Sequence, residues 1–121
     1  MFDHVKFGVR DYERSKAFYL AVLEPLGMVA GPEGTPSEGI ELILRADASL
    51  CLYQSDEEPA HLHIAFVAQS REEVQAFHRA ALTAGGRDNG LPGRRPQYQG
   101  NYYAAFVIDP DGHNVEAVWH E

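Results

Sequence analysis

The sequence predicts an α+β domain made of two βαβββ modules, each a half-barrel of mixed sheet with its helix outside. Three observations carry that prediction. The chain matches itself without a gap when shifted by 59 positions: His4 falls on His63, Val5 on Ile64, Phe7 on Phe66, Ala17-Phe18 on Ala76-Phe77, Ala21 on Ala80, Leu23 on Leu82 and Gly27 on Gly86. Self-similarity at one fixed period marks a repeated structural unit. Each copy also opens on an alternating apolar stretch and passes into a helical stripe. Each then closes on apolar runs divided by turn residues.

In the first copy Val5, Phe7 and Val9 alternate with His4, Lys6 and Gly8, and in the second Leu62, Ile64 and Phe66 alternate with His63, Ala65 and Val67. Period 2 is the mark of a half-buried strand, and it places His4 and His63 on the same, mixed face of their strands. Asp11 stands where a helix N-cap belongs, followed by the stripe Phe18, Ala21, Val22; Pro25 and Gly27 end that helix. Ser70 and Glu73 read as a capping box for the second helix, with Val74, Phe77 and Ala81 as its buried stripe and Gly85-Gly86 as its stop. Strands are expected over Ile40–Leu44, Leu50–Tyr53, Tyr102–Ile108 and Asn114–Trp119, with a further short one over Met28–Ala30. Asp109-Pro110-Asp111-Gly112 is a turn between the last two. The fourth strands overlay with a shift of 65, which puts Leu50 on Val115 and Cys51 on Glu116.

The 121 residues suit one domain, 1–121, with modules 1–56 and 61–121. The polar segment 54–60 joins them, either as a linker within the domain or as a hinge for exchange between subunits. A net charge of −8 argues against a nucleic-acid partner, which would call for a basic face. No apolar run approaches the roughly 20 residues of a membrane span. The first residues carry no leader pattern, and the single cysteine excludes an internal disulfide framework. A cytoplasmic location is the expectation.

Glu116 is the most informative residue. It lies in the otherwise apolar run Val115–Trp119, where a carboxylate is costly unless paired or coordinated. With His4 and His63 it makes a two-histidine, one-carboxylate set that suits a divalent first-row metal and leaves positions open for substrate. Repeat symmetry marks Cys51 as a possible fourth ligand position, although a buried cysteine is more often an inert apolar side chain. Residues 87–101 read as a long loop. In it Arg94 and Arg95 are candidates for holding a carboxylate or phosphate and Tyr98 for lining a substrate pocket, as are Tyr103 in the strand that follows and Tyr53 beyond Cys51. Alternation sends only one of Tyr102 and Tyr103 toward a cleft.

The pattern His4-Val5, Arg14-Ser15, Phe18-Tyr19, Leu26-Gly27 resembles the opening module of the vicinal-oxygen-chelate superfamily, the glyoxalase, bleomycin-resistance and dioxygenase proteins. His63-Ile64-Ala65-Phe66 is similar to the start of its second module, and Asp109 to Glu116 to its closing motif. The resemblance covers essentially the whole chain. It implies His4, His63 and Glu116 as ligands of one divalent ion (zinc, iron, manganese or nickel) and Glu116 as a catalytic group. It also implies a homodimer, and a glyoxalase-like metalloenzyme that stabilises an enolate or oxyanion of a small oxygen-chelating substrate. A dioxygenase or thiol transferase would use the same triad, and a drug-sequestering binding protein would dispense with the metal. The absence of a carboxylate at Cys51 departs from members with glyoxalase I activity.

Overall fold

The computed structural model describes residues 2–58, 60–98 and 100–121. Pro59, in the expected joint, and Gln99, in the expected loop, lie outside the described residues, as does Met1. Strands β1 (His4–Val9), β2 (Val29–Glu33), β3 (Ile40–Ile43) and β4 (Ser49–Gln54) form one sheet in the order β1-β4-β3-β2. Strands β5 (His63–Val67), β6 (Arg87–Arg94), β7 (Tyr102–Ile108) and β8 (Asn114–His120) form a second in the order β5-β8-β7-β6. The first pair in each order is parallel and the others antiparallel, so both sheets are mixed, and neither closes on itself. Helices α1 (Tyr12–Leu23) and α2 (Arg71–Thr83) complete two βαβββ modules.

The internal repeat is reproduced at the level of single ladder pairs. His4 pairs with Ser49 and Lys6 with Cys51, while His63 pairs with Asn114 and Ala65 with Glu116. The shifts of 59 and 65 found in the sequence carry one set of pairs onto the other. Such agreement is required, because a one-residue slip would turn a strand's buried set to the opposite face.

Local chemistry explains the helix ends. The Asp11 side chain accepts from the Arg14 backbone N–H at 3.2 Å, and Ser70 Oγ accepts from the Glu73 N–H at 3.2 Å. The expected capping box is only half formed. Glu73 reaches the Gln69 N–H at 2.7 Å and takes a two-pronged bond from Arg45, at 3.0 and 2.8 Å. Gly27 closes the turn after α1 at φ 85°, a conformation that penalises any side chain.

Two edge strands differ from expectation. Val29–Glu33 extends the short strand placed at Met28–Ala30, and Arg87–Arg94, expected to be loop, is a strand. Both edges carry register shifts, between Ala30 and Glu33 and between Asp88 and Gly93. Bulges of this kind destroy the period-2 signal that alternation would have left. Of the described residues in the stretch 87–101, only 95–98, 100 and 101 lie outside a strand.

One core serves both modules. Phe18, Tyr19, Val22 and Leu23 from α1 join Val74, Phe77 and Ala81 from α2, packed over Leu42, Leu50 and Leu52 of one sheet and Val107, Val115 and Ala117 of the other. The two modules are also tied by polar contacts. Tyr19 Oη donates to Asp109 Oδ2 at 2.5 Å, and Asp109 Oδ1 accepts from the backbone of Asp111 and His113, both at 2.9 Å. The tight turn after β7 is thereby anchored to α1.

Candidate functional site

Each sheet turns one face to the helices and leaves the other open. In the first sheet Leu50 and Leu52 enter the core, so their neighbours Ser49, Cys51 and Tyr53 take the open face, together with His4, Lys6 and Gly8 across the β1–β4 ladder. Glu41 stands opposite Cys51 on that face. In the second sheet Val115 and Ala117 enter the core, which puts Asn114, Glu116, Val118 and His120 on the open face with His63. Phe106 stands opposite Glu116, and Tyr102 opposite His120.

Glu116 is only 2% exposed although it lies on the open face. Its cover is local. His63 Nε2 lies 2.9 Å from Glu116 Oε1, the Tyr102 hydroxyl donates to Oε2, and the Phe106 ring sits beside His63 with centroids 6.1 Å apart. Each carboxylate oxygen therefore has one partner, and no lysine or arginine forms an ion pair with it among the described residues. Burial, and then the hydrogen bond to Glu116, push the Tyr102 phenol well above its ordinary value, so at neutral pH it is a donor.

His4 lies on the other open face, with its Nδ1 2.7 Å from Asp3 Oδ1 and its side chain 55% exposed. A carboxylate at Nδ1 favours the tautomer with its proton there and its lone pair on Nε2, the one that metal-binding histidines commonly adopt. Among the described residues of one chain, no three histidine, cysteine, aspartate or glutamate side chains come together closely enough to hold a metal. His63 and Glu116 meet; His4 does not join them within the chain.

The donor pair itself fits an ion. Two atoms 2.9 Å apart can both lie about 2.1 Å from one metal when they subtend roughly a right angle. That suits six-coordinate geometry better than tetrahedral. A metal entering there would take the place of the hydrogen bond between Nε2 and Oε1.

The structure sorts the remaining candidates by strand face. Tyr103, not on the face of Glu116, is buried against α2, where its hydroxyl accepts from Gln75 Nε2 at 3.0 Å and Arg71 lies over its ring. Arg94 pairs with Tyr103 in the ladder and binds Glu121 at 2.6 Å. Tyr102 and Arg95 lie on the other side. The Arg95 guanidinium sits 5.3 Å from the Phe106 ring centre and donates to the backbone oxygens of Leu91 and Gly93 at 2.7 and 2.8 Å. Tyr98 packs edge-on against Tyr102 at 4.8 Å. Arg94, Arg95, Pro96, Gly100, Asn101 and Tyr102 line an open pocket of about 300 Å³, which shares Tyr102 with the surroundings of Glu116.

Tyr53 stays with the first sheet, where Lys6 Nζ lies 5.3 Å from its ring centre. It lines a separate cavity of about 220 Å³ with Phe7, Leu62 and His113. Cys51 is half-buried, and burial with the nearby Glu41 carboxylate pushes its thiol up, against the smaller opposing pull of Lys6. Burial and Glu41 both disfavour the thiolate, the form that binds metals. Sequence reasoning missed Asp3, which needs no periodicity to reach its neighbour, and the cross-strand place of Phe106, visible only once register is known.

The chain matches the model of the glyoxalase/bleomycin resistance protein/dioxygenase superfamily over residues 1–117. It is 31% identical to a glyoxalase/bleomycin resistance protein from Albidiferax ferrireducens T118, covering 100% of this chain and 99% of that one with a TM-score of 0.82. A glyoxalase-related enzyme from Fulvimarina pelagi shares the fold at 19% identity, with 99% and 88% coverage and a TM-score of 0.75. So does the oxidase ChaP-H1, at 23% identity, 100% and 96% coverage and a TM-score of 0.73. The comparison with curated proteins gave no match.

Proposed function

The chain belongs to the glyoxalase/bleomycin resistance protein/dioxygenase superfamily, and from that premise we propose that it is a divalent-metal-dependent enzyme for a small substrate with two neighbouring oxygens. Its metal is held by His63 and Glu116 of one copy and by the partner's His4. The observation that carries the reading is Glu116: a carboxylate 2% exposed, on the open face of a sheet, with its Oε1 2.9 Å from an imidazole nitrogen. A buried carboxylate with no lysine or arginine paired to it among the described residues is a cost that a coordination site would explain.

The repeat supports a shared site. His4 and His63 hold equivalent register positions on two open faces that do not bring their ligands together in one chain. Those faces also expose apolar side chains, Val29 at 63% and Val67 at 67%, as surfaces awaiting a partner do. A second copy set two-fold against the first would lay one open face on the other and complete two identical sites.

The metal, when bound, supplies Lewis-acid stabilisation of charge developing on a substrate oxygen. The chain supplies the rest. Glu116 Oε1, the oxygen that would hold the metal, would take a proton from the substrate only on leaving the ion, while Oε2 stays with the Tyr102 hydroxyl. Arg95, fixed over Phe106 at the edge of the 300 Å³ pocket, holds an anionic arm of the substrate, and Tyr98 flanks it. Phe106 keeps water from the buried carboxylate.

The test is metal analysis of purified protein after separate exposure to manganese, iron, nickel and zinc, followed by turnover assays with and without chelator. The expected result is one ion per chain, lost in His4→Ala, His63→Ala and Glu116→Gln, and chelator-sensitive turnover. Retention of metal by His63→Ala would overturn the ligand set. Tight binding of an organic ligand by metal-free protein, with no turnover, would favour a sequestering role instead.

A further inference from the structure

We propose that Tyr102 is a positioning residue that restricts Glu116 to one-oxygen ligation and so keeps a coordination position free for substrate. The proposal rests on the metal reading above and extends it to a residue outside the ligand set. Three features carry it. Glu116 is enclosed, with Oε1 at His63 and Oε2 at the Tyr102 hydroxyl, so only Oε1 is on the side of the imidazole nitrogen that would share the ion. The Tyr102 ring is wedged edge-on between Tyr98, at 4.8 Å, and His120, at 5.2 Å, so the phenol is not free to swing away. Its backbone is held in the β7–β8 ladder opposite His120, which fixes the hydroxyl on the same open face as the carboxylate.

The consequence is arithmetic. Three ligands that each give one atom leave about three of six positions open, enough for two neighbouring substrate oxygens and one water. A carboxylate that chelates through both oxygens would take one of those positions. Turning Oε2 toward the metal requires breaking a charge-assisted hydrogen bond to a phenol, and the buried site holds no other donor to replace it among the described residues. Supporting groups of this kind commonly decide how a ligand carboxylate is presented.

The probe is manganese(II) alone. Water-proton relaxation of the loaded protein reports the exchangeable waters on the ion. Tyr102→Phe removes one oxygen and should cost about one of three waters, lowering relaxivity by roughly a third, while Tyr103→Phe, whose hydroxyl faces Gln75, should leave it unchanged. Infrared spectra of the wild type with ¹³C-labelled glutamate provide a check that needs no variant: the carboxylate stretches of the manganese form should be split widely, as for one-oxygen ligation. Equal relaxivity in Tyr102→Phe and wild type, or a narrow splitting in the wild type, overturns the proposal while leaving the ligand set intact. Manganese binding that persists unchanged in Glu116→Gln removes the metal reading itself, and the role of Tyr102 with it.

Discussion

Glu116→Gln separates what this residue does for function from what it does for stability. The carboxylate is 2% exposed, and its two oxygens are satisfied by His63 and Tyr102. Exchanging two charge-assisted hydrogen bonds for neutral ones costs about 1 kcal/mol each. Relieving a buried carboxylate that has an imidazole but no lysine or arginine paired to it among the described residues returns several kcal/mol. The balance favours the amide by roughly 1–3 kcal/mol, which for a domain of this size raises Tm by about 3–10 °C. The assay is thermal unfolding of chelator-treated wild type and variant, followed by metal titration of both. The variant should melt higher and bind no metal. A variant less stable by about 2 kcal/mol or more would refute the reasoning, because the carboxylate would then be part of what holds the fold together.

Other parts of the structure make independent claims. A Cβ at Gly86 would lie 2.7 Å from Phe18 Cε2, between the two modules; Gly86→Ala should cost about 1–3 kcal/mol in chemical denaturation, since the buried ring has little room to yield. Cys51→Ala should leave bound metal unchanged by elemental analysis, because burial and the neighbouring Glu41 carboxylate both disfavour the thiolate that a metal would need. Acid should weaken the fold through Glu73. Its folded-state value is depressed below 4.5, first by the Arg45 hydrogen bonds, so its contribution is present above that value and is lost as pH falls below it. Unfolding free energies measured downward from pH 5 should therefore decline less steeply in Glu73→Gln than in the wild type.

Much of this was legible in the sequence because the chain carries its unit twice. The alternation around His4 and around His63 set the strand faces, and the two shifts set the ladder pairs that bring Ala65 beside Glu116. The edge strands were not legible: bulges at Gly90 and Gly93 interrupt the alternation of β6, so Arg87–Arg94 read as loop. The sorting of Arg94 from Arg95 and Tyr103 from Tyr102 was hidden for a related reason. Adjacent residues in a strand point to opposite faces, and only register says which one faces Glu116. Composition says nothing about Asp3 beside His4, or about the Tyr102 hydroxyl on Oε2, since both depend on rotamers set by their surroundings.

A site shared between copies is tested most directly by mixing two inactive chains. His4→Ala lacks one ligand and Glu116→Gln another. A mixed dimer places the intact His4 of one chain opposite the intact His63 and Glu116 of the other, completing one of its two sites. Co-refolding equal amounts should then restore bound metal to about a quarter of the wild-type content, with half the dimers mixed and one site rebuilt in each. Restoration to that level is the predicted result; bound metal that stays at the level of the separate variants would contradict a site built from two chains.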